Sequence, residues 1–199
     1  MDLADIRSGE TVLDLGCGSG TDTFFAALMA GDTGHVSGVD MTEELLAKAE
    51  QARMEVGFRT VSFHKAYIED LPFDDGSMDV VLGNGVVNLS ADKGQALREA
   101  ARVLRRGGRL AISDIVAGQE LPEHITADAM LWAAGIGGAM RRDDYRQALL
   151  DAGFRLITVR ENPQYRFLSD AARSAGAVHG VRSVSLLAIR QAEKAAGRY

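Results

Sequence analysis

At 199 residues, with 46% hydrophobic and 25% charged residues, the chain is long enough for one well-buried domain and too short for two comfortable ones. A net charge of -6 opposes a phosphate backbone, and no run approaches the roughly 18 apolar residues of a membrane helix, so neither nucleic acid nor membrane is an expected partner. A single domain over residues 1–199 is expected, working with a small molecule.

The N-terminus, MDLADIRSGE, lacks the basic start and apolar run of a secretory signal. One cysteine cannot form an internal disulfide, which fits a reducing, cytoplasmic setting. The histidines, His35, His64, His124 and His179, are dispersed without ligand spacing, so no metal is expected. Apolar runs at 11–15, 35–39, 61–66, 78–82, 108–113, 154–160 and 181–189 read as strands, with helical spacing between them. That alternation predicts an α/β fold, a mostly parallel sheet with helices on both faces.

The first strand runs into LGCGSGTD, where Gly16, Gly18 and Gly20 precede a helix beginning near Thr21. Bare backbone close to a helix N-terminus suits a nucleotide-like ligand. The dinucleotide pattern G-x-G-x-x-G does not fit, because the third glycine comes one place early and Thr21 takes its position. Asp14, just before the turn, disfavours a pyrophosphate and favours a cationic ligand. Asp40 closes the second strand, where a carboxylate can accept bonds from two ribose hydroxyls.

The next helix is read with Thr42 as N-cap, Glu43 and Glu44 in its first turn, a stripe of Leu45, Leu46, Ala49, Ala52 and Val56, and Gly57 as its stop. A later helix is read with Ser90 as N-cap, Leu97, Ala101 and Leu104 as its stripe, and Gly107 with Gly108 as its stop. Arg102, Arg105, Arg106 and Arg109 form the densest basic group, and cations at a helix end favour its dipole without implying nucleic acid. Tyr145, Leu149 and Leu150 mark another helix, ended by Gly153, and residues 191–199 are expected to fray.

The ordered segments VLDLGCGSG, GVDM, YIEDLPF, NLSADK, REAARVLRRGGRLAISDIV and YRQALLDAGF resemble class I S-adenosylmethionine methyltransferases, most of all the arsenite methyltransferase branch. The resemblance runs over about residues 9–154. It implies a Rossmann-like, seven-stranded, mostly parallel sheet whose last strand, 181–189, is antiparallel. It also implies S-adenosyl-L-methionine as cofactor. Asp14, Gly16, Cys17, Gly18, Ser19 and Gly20 would hold its methionine part, Asp40 and Met41 its ribose and adenine, Ile68 and Glu69 the adenine edge, and Asn84, Gly85 and Val86 the methionine end. For Ile68 the residues alone allow a core role equally.

Arsenite methyltransferases hold trivalent arsenic with thiolates, which suit a soft centre. At two of the positions that the resemblance assigns to family cysteines this chain has Gly85, in LGNGVVNLS, and Gly135, in LWAAGIGGAM, and a further family cysteine is expected before the first strand, where this chain begins just after that point. Cys17 lies in the cofactor turn and replaces none of these, so it reads as a small wall residue rather than a nucleophile. The expectation is therefore methyl transfer to a small-molecule acceptor. An arsenite methyltransferase and a non-catalytic cofactor-binding partner protein are the alternatives, and a nicotinamide oxidoreductase is disfavoured by the glycine spacing. The donor carries its own activation, so no catalytic base is assigned. Asn84, Asn88, His124, Trp132 and Tyr145 are candidates to line the acceptor side, each with a packing or surface role as its alternative.

Overall fold

The computed structural model describes residues 2–167 and 169–192. After a short turn of 3-10 helix at Asp2–Ala4, the chain alternates β1 (Thr11–Leu15), α1 (Thr21–Ala30), β2 (His35–Asp40), α2 (Glu43–Val56), β3 (Val61–Lys65) and β4 (Met78–Asn84). It continues with α3 (Lys93–Val103), β5 (Leu104–Ala117), the short α4 (Glu123–Thr126) and α5 (Ala129–Ala133), the two-residue β6 (Met140–Arg141), and α6 (Arg142–Asp151). It closes with β7 (Phe154–Glu161), α7 (Asp170–His179) and β8 (Arg182–Arg190).

The main sheet order is β3-β2-β1-β4-β5-β8-β7, with β6 added beside β5. All pairs are parallel except those of β8, which is antiparallel to both β5 and β7. Seven full strands with an antiparallel last one match the implied fold.

Each strand in the middle of this sheet is buried on both faces, which is why the runs are almost continuously apolar. On one face Leu13, Val81, Leu110 and Ile112 pack with Leu97 and Ala100 of α3 and Tyr145 and Leu149 of α6. On the other, Val12, Val36 and Val80 pack with Ala26, Ala27 and Ala30 of α1. Burying a leucine such as Leu97 or Leu149 contributes about 1.5–3 kcal/mol, so these stripes fix the helices to the sheet.

Several local expectations are corrected. Asp92, not Ser90, caps α3, accepting the Gln95 N–H at 2.8 Å. Ser90 instead donates its hydroxyl to Glu69. Gly107 and Gly108 do not stop a helix, since α3 ends at Val103 and β5 follows at once. They lie where the β4–β5 register jumps from Met78 opposite Leu104 to Val80 opposite Arg109, and Gly107 has φ +77°. A bulge of this kind needs the same permissive backbone as a helix stop.

Thr42 precedes α2 but makes no side-chain cap bond, and Val56 is 68% exposed, leaving Leu46 and Ala49 as the buried face. In α6, Tyr145 and Leu149 are buried while Leu150 is exposed. The basic group separates into ion pairs: Arg102 with Glu99 at 2.7 Å and Asp75 at 2.8 Å, Arg105 with Asp79 at 2.7 Å, and Arg109 with Glu10 at 2.6 Å. Most of the stretch expected to fray, 193–199, lies outside the described residues.

Candidate functional site

β1 ends between β2 and β4, where the strand order reverses and a crevice opens beyond the carboxyl ends of the strands. The glycine turn sits there. Gly16 has φ +64°, and a Cβ on it would fall 2.4 Å from Val86 Cγ2, so the loop after β4 closes directly onto bare backbone. Gly18 has φ +55°, and a Cβ on it would meet nothing within 4 Å. That open side is where a ligand can reach the main chain.

The turn is fastened from behind. Cys17 donates its N–H to the Val39 carbonyl at 2.9 Å and accepts the Gly20 N–H at 2.8 Å. Its Sγ lies over Gly38, where a Cβ would be only 2.8 Å away, and burial pushes the thiol pKa up, away from the reactive thiolate. Asp40 accepts the Gly18 N–H at 2.9 Å with one carboxylate oxygen and the Thr42 N–H at 2.8 Å with the other. Each oxygen keeps a lone pair for a further donor. Ser19 and Met41 are exposed beside this turn.

Asp14 is 1% exposed, and its carboxylate accepts the Thr23 hydroxyl at 2.6 Å. Burial pushes its pKa up to about 7, with the Asp22 and Asp40 charges adding to the rise against the Thr23 bonds. Asn84 Nδ2 donates to Asp22 at 3.0 Å, which ties the end of β4 to the start of α1. Among the described residues no lysine or arginine pairs with Asp14, Asp22 or Asp40. Three carboxyl groups thus surround the turn, the buried one holding its proton up to about pH 7, and a cation placed among them would be attracted by Asp22 and Asp40 and would favour ionisation of Asp14.

The other expected residues are placed unevenly. Ile68 is buried in the core with Leu13, Leu15 and Val39. Glu69 accepts the Ser90 hydroxyl and, through its carbonyl, the Gln95 side chain at 3.3 Å. Gly85 and Val86 continue from Asn84, and the Gly85 N–H is held by the Ser113 carbonyl at 2.8 Å.

Next to them a groove of about 570 Å³ brings Gly85 and Gly135 together with Asn84, Ser113, Asn162 and Ser185. Of the other acceptor-side candidates, His124 is exposed on α4, Trp132 lies under the Lys93 ammonium at 5.4 Å, and Tyr145 is packed in the core.

Asn88 is wholly buried and joins the walls of this groove. Its Nδ2 donates to Asp114 at 2.7 Å, to the Ile115 carbonyl at 2.6 Å and to the Gly135 carbonyl at 3.4 Å, while its N–H reaches Asp114 at 3.2 Å. Burial pushes the Asp114 pKa up to about 6 against these bonds. Asp114 was missed in the sequence. The signal was a lone acid inside the apolar run AISDIV, at a strand's carboxyl end.

The methyltransferase domain family matches residues 6–153. An arsenite methyltransferase of Halobacterium salinarum is 40% identical over 84% of this chain and 43% of its own length. That of Aquipseudomonas alcaligenes is 43% identical over 75% and 45%. The chain spans less than half the length of these relatives. The crystal structure of an arsenic (III) S-adenosylmethionine methyltransferase from Chlamydomonas reinhardtii superposes with a TM-score of 0.76 at 32% identity, covering 98% of this chain and 67% of that one.

Proposed function

The chain belongs to the methyltransferase domain family, and from that premise we propose that it binds S-adenosyl-L-methionine at the glycine turn and passes the methyl group to a small molecule in the adjoining groove. The observation that carries this reading is the buried Asp14, set with Asp22 and Asp40 around open backbone at Gly18. A ligand bearing an ammonium and a sulfonium suits that charge pattern, and a pyrophosphate does not.

In this reading Asp14 and the backbone of Gly16, Cys17, Gly18, Ser19 and Gly20 hold the methionine part. Asp40 takes the ribose hydroxyls on its spare lone pairs, Met41 and Ile68 border the adenine, and Glu69 meets its edge. Asn84, Gly85 and Val86 form the wall between cofactor and acceptor, so the methyl group faces the groove. Because the sulfonium is already activated, the protein's task is to align the acceptor and exclude water.

Arsenite is the second reading, favoured by the 40% and 43% identities to arsenite methyltransferases. Against it, two of the positions that the resemblance assigns to family cysteines are the groove's Gly85 and Gly135, and the thiol of Cys17 is turned onto Gly38. Among the described residues the groove offers a soft trivalent centre no thiolate. Incubation with methyl-labelled S-adenosylmethionine decides between them: label is expected in neutral organic acceptors and not in arsenite. Robust methylation of arsenite by the unmodified protein would replace the first reading with the second.

A further inference from the structure

Resting on the groove as acceptor site, we propose that the acceptor is an uncharged, hydroxylated organic molecule, bound by a ladder of hydroxyl and amide side chains across β5, β8 and the segment after β7. Ser113 of β5 and Ser185 of β8 stand opposite each other in the antiparallel register, with their hydroxyls 2.9 Å apart. Asn162 extends the row, donating Nδ2 to Ser183 Oγ at 3.0 Å and Ser185 Oγ at 3.1 Å. All four line the same groove as Gly85 and Gly135.

The chemistry of this lining selects by exclusion. Among the described residues no lysine or arginine lines this groove, and Arg160, in the neighbouring groove that shares Ser113, Asn162 and Ser185, stands with Glu161, so an anionic acceptor would lose hydration without a free cationic partner. Among the described residues the acceptor groove's one acidic group, Asp114, is 2% exposed behind the Asn88 and Ile115 donors it accepts, so an ammonium in the groove would lose hydration without direct contact to the carboxylate. Hydroxyls act as donor and acceptor at once, and the ladder can answer either role of a ligand hydroxyl or carbonyl.

The Tyr165 ring, set edge-on to Phe167 at 5.3 Å, adds an aromatic flank suited to a ring-bearing ligand. About 570 Å³ lies within the usual range for small-molecule sites, roughly 300–1,000 Å³. A merely solvated sheet face would carry this composition without concavity. Here the row converges in a groove at the mouth of the proposed methyl site.

The test measures binding at pH 7 of three matched probes to the protein saturated with S-adenosylhomocysteine: 2,7-dihydroxynaphthalene, 2-naphthoate and 2-naphthylmethylammonium. The dihydroxy probe is expected to bind at least about tenfold more tightly than either charged one. Ser113→Ala with Ser185→Ala should weaken it by about tenfold, and Ser185→Thr, which keeps the hydroxyl on a strand-compatible residue, should restore most of that loss when Ser113 is retained. Equal or tighter binding of a charged probe, no binding of the dihydroxy probe, or unchanged affinity in the folded double alanine variant would each overturn the proposal. Saturation with S-adenosylhomocysteine is read separately by calorimetry. Its failure would count against the methyltransferase reading, while the dihydroxy probe still reports on the groove.

Discussion

Replacing Asp14 with asparagine should stabilise the ligand-free protein and weaken cofactor binding at once. The carboxyl is 1% exposed, faces the charges of Asp22 and Asp40, and has the Thr23 side chain as its hydroxyl donor. Its pKa rises from an ordinary 3.8 to about 7, chiefly through burial. The folded protein therefore holds this proton more tightly than the unfolded chain, and stability falls as pH rises from about 4 to about 7.

Roughly three pH units at about 1.4 kcal/mol each put the loss near 4 kcal/mol above pH 7. Asparagine keeps the shape, accepts the Thr23 hydroxyl and never ionises. In urea unfolding Asp14→Asn should gain about 2–4 kcal/mol over wild type at pH 8, with the gain vanishing near pH 4. Calorimetry at pH 8 should show affinity for S-adenosylmethionine reduced by about tenfold or more, a cost of about 1.4 kcal/mol. A variant no more stable than wild type at pH 8 would refute the burial argument. A stabilised variant with unchanged affinity would remove Asp14 from the site.

Three further outcomes are expected. Asp40→Ala should lower S-adenosylmethionine affinity at least about tenfold in a variant whose circular dichroism is unchanged, because the two charge-assisted bonds proposed to the ribose would be lost; equal affinity would exclude the ribose role. Cys17→Ser should retain cofactor affinity and turnover, since Sγ packs on Gly38 and burial suppresses its thiolate, and loss of turnover with binding intact would restore a nucleophilic thiol. Asn88→Ala should cost about 3 kcal/mol in urea unfolding, because it strips a hydrogen bond from the buried Asp114 and leaves the Ile115 carbonyl without that partner; a loss below about 1 kcal/mol would show that Asn88 does not join the groove walls.

The features readable in the sequence are those whose cause is local. The run TVLDL entering three glycines specifies a buried strand and a tight turn by itself, and Asp40 follows from closing the next strand. Where two local candidates competed, tertiary structure decided. Ser90 and Asp92 are both good capping residues, and Ser90 is drawn away by Glu69 from the loop after β3. Gly107 and Gly108 look alike as helix stop or bulge, and the β4–β5 register settles it.

The groove beside the turn was least legible, because Ser113, Asn162 and Ser185 are distant in sequence and meet only through the antiparallel placement of β8. The alternation Ser183, Val184, Ser185 carried a hint of a polar face, though not of what it faces. The pairing of Gly85 with Gly135 came from resemblance alone, and the fold places both in one groove. Both have positive φ, +68° and +73°, so glycine is favoured there for its backbone as well as its size.

Three acidic side chains around a glycine turn suit a cationic nucleoside ligand rather than a pyrophosphate. Isothermal calorimetry of the wild-type protein against S-adenosylmethionine and against NAD, at matched ionic strength, distinguishes the two. One-to-one binding of S-adenosylmethionine with a Kd below about 1 mM is expected, with no measurable binding of NAD. Binding of NAD without S-adenosylmethionine would contradict this expectation.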